Sequence, residues 1–200
     1  MSLSKSSILT GTSGGRVVEE FDTADREVMF FLHTRPIHHA VLGYAEHKEM
    51  HHWALVAVFR DESVRTMEGI ESEGILTPNY FKACPSDSRN GKYWPLFAMI
   101  SSPHKLHEVT IRNWLNETAY SVTNNNCQNW VKAAVNAISS NFAISLENYK
   151  TNGELDVFER AGQFCWASSR SSSACVVSKL KELAEAFWSN PKNLEVHTMD

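Results

Sequence analysis

The chain of 200 residues has no apolar run approaching the roughly 20 needed to cross a bilayer as a helix, so no integral membrane segment is expected. It also lacks any cluster of lysine and arginine, and its formal net charge is −4. Without a basic stripe to neutralise phosphates, nucleic acid is not an expected partner, and an anionic membrane surface is disfavoured for the same reason. Residues 1–16 are rich in Ser, Gly and Thr and hold no apolar segment of the kind a secretory signal needs. Cysteines are few: Cys84, Cys127, Cys165 and Cys175. The four could in principle pair, but the lack of a signal segment favours a reducing compartment, so the expected location is cytoplasmic. Export by a route that cleaves no signal would leave no mark here. No internal repeat is visible.

What is present suits one globular unit. Apolar residues make up 42% and charged residues 21%, and this length is enough to bury about 70% of the unfolded chain's surface. The expected organisation is a disordered arm over 1–16 and a single domain over 17–200, of which 143–200 is a helical C-terminal extension.

The most informative stretch is Asn124-Asn125-Asn126-Cys127-Gln128-Asn129-Trp130-Val131. Three asparagines interrupt regular structure and offer side-chain oxygens to cap a helix. Behind them Cys127, Val131, Ala134, Ile138 and Phe142 recur at helical spacing, with Trp130 and Val135 widening the stripe. Cys127 is thereby placed in the first turn, at the edge of the buried face. The unpaired N–H groups and the helix dipole there favour an anion, which turns a thiol into a nucleophile. The blander alternative is a small buried hydrophobe, the usual state of a free cysteine.

A partner for that thiol lies upstream, in His51-His52-Trp53-Ala54-Leu55-Val56-Ala57-Val58-Phe59. The uninterrupted apolar run after His52, rich in β-branched and aromatic types, reads as a central strand buried on both faces. His52 shares one face with Ala54, Val56 and Val58, a narrow face that suits a closely packed helix. A histidine at the mouth of such a strand, facing a helix that starts with cysteine, is what a thiolate–imidazole pair requires.

His-Trp-Ala-Leu at 52–55 followed by Asn-Cys-Gln-Asn-Trp-Val at 126–131 resembles the paired His and Asn-Cys boxes of circularly permuted papain-like enzymes. That group includes lecithin:retinol acyltransferase-like phospholipases and acyltransferases, PPPDE-type isopeptidases and permuted relatives of NlpC-type peptidases. Histidine precedes cysteine in these families, and it does so here. Tyr120 also resembles the tyrosine they often carry ahead of the cysteine box. The resemblance spans roughly residues 28–142. It implies an α+β, permuted papain-like fold, in which a small antiparallel sheet carries the nucleophile helix and further helices follow at the C-terminus. It also implies a catalytic Cys127–His52 pair.

In the acyltransferase-like relatives the next strand supplies a third polar residue, often histidine, that holds the imidazole. Val64–Ile70 reads as that returning strand, and it contains no histidine. Glu68 is the substitute named here, because a carboxylate orients and stabilises an imidazolium. Thr66 has the same strand parity and is the weaker choice. A solvated strand glutamate is the plainer reading of Glu68.

Six of the nine histidines fall between positions 33 and 52, which raises a zinc site as an alternative. In His47-Lys48-Glu49-Met50-His51 the glutamate stands one place late for an H-E-x-x-H helix, and a strand follows at once. The reading therefore includes no metal and no cofactor, with the histidines scattered over surface and loops.

Elsewhere, Val28–His33 reads as a first strand and Tyr93–Ile100 as another, or as part of a substrate wall. Residues 71–95 read as loop-rich, with turn clusters at Thr77-Pro78-Asn79, Cys84–Ser88 and Arg89–Lys92. Cys84, before a proline and far from any histidine, reads as inert. His104–Leu115 is compatible with a short helix, Gly153–Gly162 with another, and Ser168–Ser173 with a flexible connection. Val176, Leu180, Leu183, Ala184 and Phe187 form a helical stripe expected to pack on the body. The resulting expectation is a cysteine hydrolase acting on a peptide, protein or acyl-lipid substrate. An amide or isopeptide bond is the first choice, lipid-ester transfer or hydrolysis the second, and an inactive binding module the third.

Overall fold

The computed structural model describes residues 22–36, 51–85, 91–152 and 173–189. Among these the chain is α+β, with five strands in one antiparallel sheet and four helices. The strands are β1 (Arg26–Pro36), β2 (His51–Phe59), β3 (Val64–Ser72), β4 (Ile75–Phe81) and β5 (Lys92–Ser101). The helices are α1 (Pro103–Ile111), α2 (Cys127–Ile138), α3 (Ser140–Asn152) and α4 (Ser173–Trp188). The sheet order is β4-β3-β2-β1-β5, so β2 is central and flanked by β1 and β3. The proposed arm over 1–16, the helix at 153–162 and Cys165 lie outside the described residues. No described helix is long and apolar enough to cross a membrane.

Each face of the sheet has its own cover, which is why the run from Trp53 to Phe59 is continuously apolar. Trp53, Leu55, Ala57 and Phe59 pack with α2, through Trp130, Val131, Val135 and Ile138. Burying each of those three aliphatic helix residues contributes roughly 1.5–3 kcal/mol. Val56 and Val58 face the other way, toward Val176, Leu180, Ala184 and Trp188 of α4. The C-terminal stripe thus packs on the body, as its spacing suggests.

Three local expectations are corrected. Thr77-Pro78-Asn79 is not a turn but the middle of β4. Proline is tolerated there because β4 is an edge strand, where a missing N–H breaks no ladder on its outer side. The actual turn is Glu73-Gly74, with φ of 54° and 78°, a left-handed pair that glycine accepts readily. Next, the stripe from Cys127 to Phe142 is not one helix. Ser139 is extended (φ −168°, ψ 139°), α2 stops at Ile138, and Phe142 belongs to α3, its ring 4.8 Å from that of Phe30. Finally, α1 stops at Ile111, and Leu115 is buried beyond its end.

The sheet is also not uniformly zipped. β2 and β3 pair only from Leu55↔Met67 to Val58↔Val64, whereas β3 stays paired with β4 as far as Ser72↔Ile75. Residues 51–54 of β2 and 68–72 of β3 therefore part from one another, and the head of α2 sits at this opening. Gly69 makes room for it: a Cβ there would lie 2.5 Å from Trp130 Cγ.

Candidate active site

The segment before α2 is built to deliver Cys127 in one place. Asn126 caps the helix with its side-chain oxygen, accepting from Gln128 N at 3.0 Å and Asn129 N at 3.1 Å. Its amide nitrogen donates to Val122 O at 2.6 Å, so the same side chain ties the cap to the preceding turn. Asn125 Nδ2 donates to Thr118 Oγ1 and Ala119 O. Residues 117–120 are in turn held on β4 through Leu76 N to Thr118 O and Glu117 N to Leu76 O, both 2.9 Å. Because Asn126 O also accepts from Trp130 N, the Cys127 N–H is the first-turn donor that the cap does not use.

Cys127 is buried, with Sγ 4.0 Å from His51 O, and Gln128 Nε2 donates to that same carbonyl at 2.9 Å. The start of β2 and the head of α2 are thus clasped together. His52 Nε2 lies 2.7 Å from Glu68 Oε2, and the Cys127 side chain is close enough to act on the charge of the imidazole. With Nε2 committed to the carboxylate, Nδ1 is the nitrogen left for sulfur. The carboxylate's other oxygen, Oε1, accepts from Asn79 Nδ2 at 2.8 Å. Cys127, His52 and Glu68, singled out separately in the sequence, are neighbours here. Thr66 is not among them; its hydroxyl donates to Ala83 O.

The face of His52 is not the one expected. By strand alternation His52 and Glu68 belong with Val56, Val58 and Val64, on the side that α4 covers, while α2 packs on the opposite side. Thiol and imidazole meet because β2 and β3 have already parted at this end. The opening lets side chains of one face reach a helix head on the other.

The surroundings set the charge states. Burial opposes a charge on His52, but hydrogen bonds and opposite charge from Cys127 and Glu68 outweigh it and raise the imidazole to about 9. Burial likewise pushes the Glu68 carboxyl up. The His52 bond and charge, the Asn79 bond and the Arg35 charge overcome this and hold it below the usual carboxylate range. Burial raises the Tyr120 phenol, with Cys127 and Glu71 adding to the effect, which places this ring within the field of the thiol.

The sequence reading missed Asn79, which belongs to a segment read as a turn, and Gln128, a polar first-turn residue with no distinguishing pattern. It also took the histidines as surface or loop residues. His33 is instead wholly buried on β1, wedged against the Gly91 backbone and the Tyr93 ring, with both ring nitrogens lacking a hydrogen-bond partner among the described residues. Burial and the nearby His52 lower it to about 3, so it stays neutral. His38, His39 and His47 lie outside the described residues. Among the described residues no group of three His, Cys, Asp or Glu is arranged to hold a metal ion.

No family model, no curated protein and no solved structure matches the chain.

Proposed function

We propose that this chain is a thiol-dependent hydrolase of permuted papain-like build, acting through Cys127 and His52 with Glu68 as the orienting carboxylate. The observation that carries the reading is the imidazole itself, held by a buried carboxylate at 2.7 Å with the helix-head thiol close by. An imidazole raised to about 9 is an imidazolium at neutral pH, which supplies both a counter-charge for a thiolate and a proton for a leaving group.

The sulfur attacks a carbonyl carbon, and the carbonyl π pair moves onto oxygen. The Cys127 N–H, left over by the cap, is the donor for that oxyanion. Collapse expels the leaving amine or alkoxide, which takes the Nδ1 proton of His52 and leaves an acyl-thioester. Water then attacks with neutral His52 as base, and the thiolate leaves. Glu68 keeps Nε2 protonated throughout and stabilises the imidazolium each time it forms.

An amide or isopeptide bond is the first substrate class, because proton donation by the His52 imidazolium matters more for an amine leaving group than for an alkoxide. The second is a lipid ester, supported by the resemblance of His52-Trp53-Ala54-Leu55 to the acyltransferase-type box. Incubation with peptide or ubiquitin-type electrophiles and with fatty-acyl esters, read by intact mass, separates the two. The expected result is a covalent adduct on Cys127 with the first group, absent in Cys127→Ala and His52→Ala. An adduct with the acyl esters alone moves the reading to lipid. No adduct with either leaves a binding module.

A further inference from the structure

The Glu68 carboxylate is held at both ends, and only one of the two ties is explained by the chemistry above. We propose that Asn79 is a positioning residue for the thiol–imidazole pair, its amide fixing the rotation of Glu68 and through it the aim of His52. This rests on the reading of Cys127, His52 and Glu68 given above.

Glu68 and Asn79 stand directly opposite each other in the β3–β4 ladder, so their side chains leave the same face side by side. Asn79 Nδ2 reaches Oε1 at 2.8 Å while His52 Nε2 meets Oε2 at 2.7 Å. One oxygen bound on each side fixes the plane of the carboxylate. A glutamate tied at one oxygen alone retains enough rotamer freedom to swing out through the gap between β2 and β3. An amide suits the task because it donates without charge. A lysine or arginine at this point would draw the carboxylate away from the imidazole.

The strand that carries Asn79 is itself registered to the nucleophile. Leu76, three residues earlier on β4, exchanges backbone hydrogen bonds with Glu117 and Thr118, and Asn125 grips Thr118 and Ala119 just before Cys127. Edge strand β4 therefore places the orienting amide and the head of α2 in one frame, although Asn79 never touches the thiol or the imidazole.

Among the described residues, the charged and titratable groups facing this cluster are Cys127 from α2, Glu68 from β3, His33 and Arg35 from β1, and Tyr120 ahead of α2. Asn79 is neutral, so removing it changes no charge in the set; losing its bond makes Glu68 a stronger acceptor, which alone would raise His52, so a fall in the His52 midpoint reports orientation. Two readouts on the full chain test this: the NMR titration of the His52 ring and the rate of Cys127 alkylation by iodoacetamide at pH ~6. In Asn79→Ala the His52 midpoint falls toward the ordinary imidazole range and alkylation slows about tenfold, the worth of one hydrogen bond to a charged group. Asn79→Gln keeps an amide donor and recovers part of both, whereas Glu68→Gln loses more than either. A midpoint in Asn79→Ala that is unchanged or higher, with Glu68→Gln still lowering it, overturns the role of Asn79 alone. If Glu68→Gln also leaves the midpoint in place, the reading of the whole site falls.

Discussion

Cys84 and Cys127 are both free, and both are 4% exposed, yet they sit in chemically opposite places. Cys84 lies on the α4 side of the sheet among Met29, Phe31, Val56 and Val58. Burial pushes its thiol up to about 11, against the lowering pull of Tyr93 and Lys181. Cys127 begins a helix, lies close to a charged imidazole and sits beside an N–H that nothing in the cap consumes. Burial alone therefore says little about a cysteine. What separates these two is whether the interior also supplies a positive partner and oriented dipoles.

The widest gap between them is expected in alkylation. At pH ~6 a thiol titrating near 11 is ionised in only about one molecule in 10⁵, so Cys84 should remain unmodified in the folded chain. Peptide mapping after brief iodoacetamide treatment should find Cys127 modified first, at least ~10²-fold faster than Cys84. In His52→Ala that advantage should shrink by ~10²–10³-fold, in line with the loss of an acid–base partner. Equal rates at the two cysteines, or a His52→Ala variant as fast as the parent, would remove the distinction drawn here and the enzyme reading with it.

The neighbouring histidines allow the same comparison to be made through stability. His52 titrates at about 9 in the folded chain against 6.5 when unfolded, so the folded state holds the extra proton. Its contribution is complete below pH 6.5 and disappears as pH rises through about 9, on the order of 3 kcal/mol at most. His33 has the opposite sign. Lowered to about 3, it binds its proton later than the unfolded chain does, so its contribution is present above pH 6.5 and is lost as pH falls toward 3. Chemical denaturation across pH should give a dome centred near neutrality. Replacing His33 with an uncharged residue of similar volume should flatten the acid limb alone, and Glu68→Gln should flatten the alkaline limb.

How far the sequence could take this depended on whether the needed information was local. The run after His52 gave a central strand, and the Asn126-Cys127 junction gave a helix start, because side-chain period and capping chemistry are written in consecutive residues. The pairing of His52 with Glu68 was reachable through the hairpin, which fixes β3 relative to β2. Asn79 was not, since Pro78 beside it reads as a turn until the strand is known to lie at the sheet edge. Nor was the side of the sheet on which thiol and imidazole meet. Alternation assigns His52 to the α4 face, and only the parting of β2 from β3 beyond Leu55 overrides it. The break at Ser139 was equally hidden, because Phe142 continues the apolar spacing of α2 from a different helix.

The smallest expected effect isolates the helix head. Asn126 does two jobs, capping Gln128 N and Asn129 N through oxygen and holding Val122 O through nitrogen. Asn126→Ala removes both and should cost about 1–2 kcal/mol of stability, the usual loss for an N-cap with a further hydrogen bond. Asn126→Asp keeps an oxygen for the two N–H groups and adds a negative charge that the helix start favours, but it cannot donate to Val122 O. It should therefore lose less stability than alanine. In alkylation, Cys127 should slow several-fold in the alanine variant, as its N–H and sulfur lose a fixed position, while Cys84, far across the sheet, stays as unreactive as before. If the aspartate variant destabilises as much as alanine, the cap contributes nothing and the tie to Val122 alone holds the nucleophile turn in place.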